Sequence, residues 1–173
     1  MSAFQVRRLQ NVTSREFGGL CDVLMDCVDG GASVSFMHPM TLAKAAEFWR
    51  DVAASMARGE RALIVAEDAD GKVIGTAQAV WASPENQPHR ADISKMLVHR
   101  RARRLGVGAA VLEAAERAAA EAGKTLLVLD TASDDAVRLY ERCGWHRVGT
   151  IPDYALWPGG GLCDTVVYYK RLD

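Results

Sequence analysis

The chain has 173 residues, 49% of them hydrophobic and 25% charged, a size and balance that suit one domain, 1–173, with a sizeable core. Its 21 lysines and arginines against 22 aspartates and glutamates leave a net charge of −1, which speaks against a general nucleic-acid binder. No apolar run approaches the roughly 18 residues that span a bilayer, and the opening M-S-A-F-Q-V-R-R-L-Q lacks the apolar core of a signal peptide, so the expected setting is the cytoplasm with no membrane partner.

Phe4–Leu9 reads as a first strand. From Thr13 to about Val28 the apolar residues Phe17, Leu20, Cys21, Leu24 and Val28 fall on one helical face, and Asp29-Gly30-Gly31 stops the helix. Thr41 caps a second helix to Arg58, with the stripe Ala45, Phe48, Trp49, Val52 and Met56. Ala62–Ala66 and Val73–Trp81 are strands around the turn Asp68–Gly71. His89–Val98 is the next strand. A helix follows over Gly106–Gly123, with Val107, Val111, Leu112 and Ala115 inward and Glu113, Glu116, Arg117 and Glu121 outward. Leu126–Asp130 is a continuous apolar strand of the kind found beside parallel neighbours. Ser133 or Asp134 caps a short helix to Arg142. Trp145–Thr150 and Thr165–Lys170 close the sheet, with P-D-Y-A-L-W-P-G-G-G-L between them.

The stretch Val98–Ala109, V-H-R-R-A-R-R-L-G-V-G-A, carries most of the chemistry. Arg100, Arg101, Arg103 and Arg104 crowd a turn that Gly106 and Gly108 punctuate before a helix. A helix start offers N–H groups without intrahelical partners and a dipole that favours anions. Glycine lets the backbone come close to a phosphate. The NTPase pattern G-x-x-x-x-G-K-[ST] fails because no Lys-Ser or Lys-Thr follows these glycines, and the dinucleotide pattern G-x-G-x-x-G fails because Val111 holds the third glycine position. The alternative is a solvated basic turn or a nucleic-acid patch.

What fits is [Q/R]-x-x-G-x-[G/A], as Arg103, Gly106 and Gly108, followed by A-V-R-L-Y-E-R-C-G-W with Tyr140 near the end of its helix. This resembles the acetyl-CoA pyrophosphate loop and the following helix of the GNAT superfamily of N-acetyltransferases. The element order β-α-α-β-β-β-α-β-α-β-β is also that of the superfamily. V-D-G-G-A-S-V-S-F-M (28–37), R-A-D-I-S-K-M-L-V (90–98), L-D-T (129–131) and the late I-P-D-Y…Y-Y-K-R-L are similar to acetyltransferases of the tabtoxin-resistance type. The resemblance implies an α/β (α+β) fold: a mixed, mostly antiparallel sheet, splayed at the acetyl-CoA site, with helices on both faces. It implies acetyl-CoA as co-substrate, a small-molecule amine as acceptor, and a monomer or homodimer.

The resemblance also assigns residues. Met96, Leu97 and Val98 would offer backbone groups to pantetheine. Arg103, Arg104, Leu105, Gly106, Val107, Gly108 and Ala109 would hold the pyrophosphate, with Ser133 and Tyr140 beside the cofactor. Asp92 and Asp130 are candidates for proton handling, and Tyr140 for the acid at the departing sulfur. Gly31, Ser33, Phe36, Asp130 and Tyr154 would border the acceptor.

Plainer readings stand beside these: a surface strand residue for Asp92, a cap or turn bond for Asp130, core packing for Tyr140, and a tight turn for Gly30-Gly31. The sequence departs from the superfamily pattern at Ser133 (commonly asparagine), Arg104 (commonly glycine) and Leu105 (commonly basic). His99 faces phosphate rather than thioester. His38, His89 and His146, and the scattered Cys21, Cys27, Cys143 and Cys163, share no ligand spacing, so no metal is expected. A peptide or protein N-acetyltransferase and a non-catalytic acyl-CoA-binding module are the alternatives.

Overall fold

The computed structural model describes residues 4–173. Its elements run β1 (Phe4–Arg8), α1 (Ser14–Asp29), α2 (Leu42–Ala57), β2 (Arg61–Asp68), β3 (Val73–Trp81), β4 (Arg90–Val98), a 3-10 turn at Arg100–Ala102, α3 (Val107–Glu121), β5 (Leu126–Thr131), α4 (Asp134–Arg142), β6 (His146–Leu156) and β7 (Leu162–Arg171). The order is the expected one. Local chemistry sets the helix starts. Thr13 and Glu16 form a reciprocal capping box on α1, and the Thr41 and Ser133 hydroxyls accept from the N–H groups of Lys44 and Ala136.

The strands form a seven-stranded sheet in the order β1-β2-β3-β4-β5-β7-β6. Every neighbouring pair is antiparallel except β4 and β5. That parallel pair holds for only three residues on each strand, Arg90–Asp92 against Leu126–Val128, and beyond them the strands part. This is the splay expected of the fold.

Helices cover both faces. On one side Leu20, Leu24 and Val28 of α1 and Trp49 and Val52 of α2 pack on Leu63, Val65 and Leu97. On the other, Val107, Val111, Leu112 and Ala115 of α3 and Tyr140 of α4 pack on Ile64, Ile93, Leu127 and Tyr168. A bulge interrupts β4: Thr76 pairs Leu97 and Gln78 pairs Ser94, so Lys95 and Met96 together stand opposite Ala77. The extra residue changes which side chains face each core. Ala91 and Ile93 face α3, then Met96 and Val98 do, while Leu97 turns to α1 and α2.

Two expectations need correction. The segment after Thr150 is not a long loop. β6 runs on to Leu156 and β7 begins at Leu162. The ladder slips between Ile151 and Ala155, and Asp153 takes φ +52 there. Pro152, which has no N–H to donate, sits in that slip on an edge strand, where a sheet tolerates it. Glu116 does not point outward: only 12% of its side chain is exposed, and it accepts hydrogen bonds from Trp145 Nε1 (2.8 Å) and Lys170 Nζ (2.7 Å), tying α3 to the far half of the sheet.

Candidate active site

A groove of about 1750 Å³ follows the gap between β4 and β5. Its floor includes Met96, Leu97 and Val98, and one end is the start of α3. Gly106 caps α3 with φ +84 and provides no side-chain bond, so the first N–H groups of the helix stay open to the groove. Arg104 has φ +63, the left-handed conformation that glycine adopts without penalty. This explains why a glycine suits that position. The turn keeps its path with arginine at a local cost of about 1–2 kcal/mol. A Cβ on Gly108 would stand 3.2 Å from Leu139 and 3.7 Å from Val98, so a larger side chain there would fill the cradle.

The four arginines divide. The Arg100 main-chain N–H and Nε bond Asp26 of α1 at 2.7 and 2.9 Å, while Arg101 lies near Asp22 and Asp68 at 3.7 and 3.9 Å. His99 does not face the phosphate site as expected: it stands 3.4 Å from both Asp22 and Asp26, accepts from the Arg101 N–H, and so braces the turn against α1 outside the groove lining. Arg100, Arg103 and Arg104 line the groove, and of these Arg103 and Arg104 have no ion-pair partner among the described residues. Two unpaired guanidinium groups beside an uncapped helix start fit a pyrophosphate. Leu105 is 57% exposed and outside the groove lining. Ser133 lines the groove, though its hydroxyl already accepts from the Ala136 N–H at 3.3 Å.

Tyr140 is buried among Trp145, Tyr168 and Met96, and its hydroxyl lies 3.6 Å from Met96 Sδ at the groove wall. Burial, helped by the nearby Asp130 charge, pushes its ionisation well above the usual phenol range. The phenol is therefore neutral at any working pH.

Asp92 and Asp130 lie together on the sheet face opposite α3. With Ser94, Thr165 and Tyr154 they line a pocket of about 220 Å³ that adjoins the groove. Asp130 Oδ2 accepts from Thr165 Oγ1 at 2.7 Å, and Asp92 Oδ1 accepts from Arg90 Nη1 at 2.6 Å. Asp130 borders both cavities; Asp92 borders only the smaller. The α1–α2 loop and the β6–β7 hairpin meet above the gap. Ser33 Oγ donates to the Leu156 carbonyl at 3.1 Å, and the His38 N–H donates to the Pro158 carbonyl at 2.9 Å. Gly31 and Ser33 line the groove from this side. Phe36 lines neither cavity and packs edge-on against Phe48 at 5.5 Å.

Two polar residues here are not legible in the sequence: Thr165 under Asp130, and Lys95, whose ammonium bonds Ser35 at 3.0 Å. The signal for Lys95 was a charge inside the apolar run I-S-K-M-L-V. Among the described residues no group of three or more His, Cys, Asp or Glu side chains is placed to hold a metal ion.

Solved structures share this architecture. A phosphinothricin acetyltransferase of the GNAT superfamily from Sinorhizobium meliloti, in complex with acetyl-CoA, superposes with a TM-score of 0.81 at 19% identity, over 98% of this chain and 89% of that one. An acetyltransferase from Salmonella typhimurium with its cofactor acetyl-CoA gives 0.79 at 20% identity, over 99% and 95%. A ribosomal-protein-alanine N-acetyltransferase from Brucella melitensis gives 0.79 at 21%, over 97% and 99%. At such identities the likeness is one of fold. The acetyltransferase (GNAT) family model matches residues 32–145, from the loop over the gap through the arginine turn to Trp145. The chain belongs to the GNAT family of acetyltransferases, whose acyl donor is acetyl-CoA.

Proposed function

We propose that the whole chain acts as one N-acetyltransferase domain that moves the acetyl group of acetyl-CoA directly to a primary amine of a small molecule. The observation that carries this reading is the pocket of about 220 Å³ that Asp92 and Asp130 both line, next to the gap between β4 and β5. Two carboxylates in a small cavity attract an ammonium group. The cavity's size and its roof of loop and hairpin suit a compact amine better than a folded protein surface. An amino-acid-like acceptor, such as a β-lactam amino acid of the tabtoxin kind, fits this description.

Acetyl-CoA supplies an activated acyl group, so the chain's residues have only to bind, orient and move protons. Arg103, Arg104 and the N–H groups of Gly106, Val107, Gly108 and Ala109 hold the phosphates. Met96, Leu97 and Val98 present main chain to the pantetheine arm. The bound ammonium loses one proton to water; the neutral amine then forms the C–N bond as the C–S bond breaks, CoA leaves as thiolate, and Asp130, which borders both cavities and is oriented by Thr165, takes the second proton. Asp92, partly neutralised by Arg90 at 2.6 Å, adds a smaller share of negative charge to the same pocket. Tyr140 donates a hydrogen bond toward the sulfur. Its raised ionisation makes it a standing donor to developing thiolate charge rather than a group that surrenders its proton.

A panel of amines assayed by thiol release tests the reading. We expect turnover with amino acids and other small primary amines. Acetylation confined to peptide or protein N-termini would overturn the acceptor class. Tight acetyl-CoA binding without turnover of any amine or peptide would favour an acyl-CoA-binding module instead.

A further inference from the structure

Lys95 has no part in the roles proposed above. Among the described residues four non-glycine residues have positive φ, and two of these, Ser35 (φ 80) and Lys95 (φ 49), are hydrogen-bonded to each other, Nζ to Oγ at 3.0 Å. Backbone held in sparsely populated conformations persists where the surroundings over-determine it, often at ligand sites. The β4 bulge turns Lys95 toward the α1–α2 loop, and its ammonium lies 5.7 Å from the centre of the Phe48 ring.

This ammonium uses few protein partners. It has three donors, and among the described residues its one hydrogen bond goes to a neutral hydroxyl, with no ion pair. Burial pulls its ionisation below the usual lysine range, and the Asp130 charge only partly offsets this. A partly buried cation with no ion-pair partner among the described residues gains from an incoming anion.

Lys95 and Asp130 line the same groove, with Ile93 and Ser94 beside them, and Asp130 also faces the small pocket. The acceptor side therefore has a negative end at Asp92 and Asp130 and a positive end at Lys95. An α-amino acid carries an ammonium and a carboxylate on one carbon, and it can set each against its opposite here.

We propose that Lys95 is a specificity-determining residue whose ammonium binds a carboxylate on the acceptor, so that the preferred substrates are zwitterionic amino acids rather than simple amines. This deepens the small-amine reading and rests on it. Ser35 holds the ammonium in place, with the Phe48 ring 5.7 Å away.

The test pairs each common L-amino acid, and phosphinothricin, with its α-carboxamide, which keeps the amine and removes the negative charge. Thiol release gives kcat and KM for both members, and calorimetry gives acetyl-CoA affinity. In the unmodified protein the carboxylate members should be favoured roughly 10- to 100-fold in kcat/KM, mainly through KM. Lys95→Met should bring the ratio close to one with acetyl-CoA affinity unchanged, and Lys95→Arg should restore part of it. A ratio near one in the unmodified protein, or equal losses for both members in Lys95→Met, would overturn the proposal. So would an acetyl group found on Lys95 itself by mass spectrometry after incubation with acetyl-CoA.

A second readout does not depend on turnover. The ε-carbon resonance of Lys95, assigned by its loss in Lys95→Arg, should move on titration with the carboxylate probes and stay still with the carboxamides. If no probe is acetylated, the small-amine reading fails, and this titration still decides the role of Lys95. A resonance unmoved by every carboxylate rejects it.

Discussion

Thr165 Oγ1 donates to Asp130 Oδ2 at 2.7 Å, from the strand directly beside the carboxylate. The bond holds Asp130 at the junction of the two cavities. Asp130→Asn should lower kcat/KM by about 100-fold or more and flatten the acidic limb of the pH–rate profile, as loss of a positioned proton acceptor does. Thr165→Val should lower kcat by a smaller factor, about tenfold. Asp92→Asn should raise the acceptor KM and spare kcat. A reversed ranking, with Asp92→Asn the slower enzyme, would move the proton-accepting role to Asp92.

Tyr140→Phe should reduce kcat by about 100-fold, the usual effect of removing one donor to developing negative charge. Acetyl-CoA affinity should stay within about twofold, because the ring and its packing on Trp145 and Tyr168 remain. Since burial keeps the hydroxyl protonated far above neutral pH, the basic limb of the profile should be the same in both proteins. Disappearance of that limb in the variant would show that Tyr140 titrates during turnover.

The arginine cluster should separate by function. Arg103→Ala should weaken acetyl-CoA binding by roughly tenfold or more, through loss of a charged hydrogen bond to phosphate. Arg101→Ala, which removes a contact to α1 outside the groove, should leave affinity within about twofold. Arg104→Gly should weaken binding yet gain up to about 1 kcal/mol in stability, because glycine takes φ +63 without strain. Calorimetry and thermal melts on the three variants check this. Equal losses of affinity at positions 101 and 103 would contradict the division.

Glu16 links pH to folding. Burial alone would raise its ionisation, but the hydrogen bonds from Thr13 and Arg7 outweigh that and hold its carboxyl below the ordinary value of 4.5. A carboxyl depressed in the folded state contributes stability that is fully present above its unfolded value. That contribution is lost as pH falls through the folded one. Glu16→Gln should therefore lower stability by about 1–2 kcal/mol at pH 7. It should also flatten the loss of stability below pH 4.5. Denaturant titrations from pH 7 to 3 read both effects.

The sequence made some of these elements plain and hid others, for physical reasons. Helix periodicity and caps at Thr13, Thr41 and Ser133 are local, and α1, α2 and α4 lie within a residue or two of their expected bounds. The Arg103, Gly106 and Gly108 spacing is also local, and it marked the turn that opens the groove. β6 was cut short because Pro152 and Asp153 look like a loop to any local reading, whereas the strand absorbs them in a slip of register. Glu116 was misjudged because its partners, Trp145 and Lys170, are distant in the chain. Lys95 escaped for the same reason: its meaning depends on a bulge and on Ser35, sixty positions away.

The parted strands β4 and β5 also bear on solubility. A sheet normally carries its unpaired main-chain groups at two outer rims, but this one adds a second pair of open edges in its middle, beyond Asp92 and Val128. Open edges invite pairing with extended segments of other chains. Here the α1–α2 loop and the β6–β7 hairpin, joined through Ser33 to Leu156 and His38 to Pro158, close over that opening. The cover that shapes the acceptor site thus guards the sheet as well. Cutting its fastenings, as in Ser33→Ala, would expose the molecule to strand-mediated aggregation as much as to a change in substrate choice.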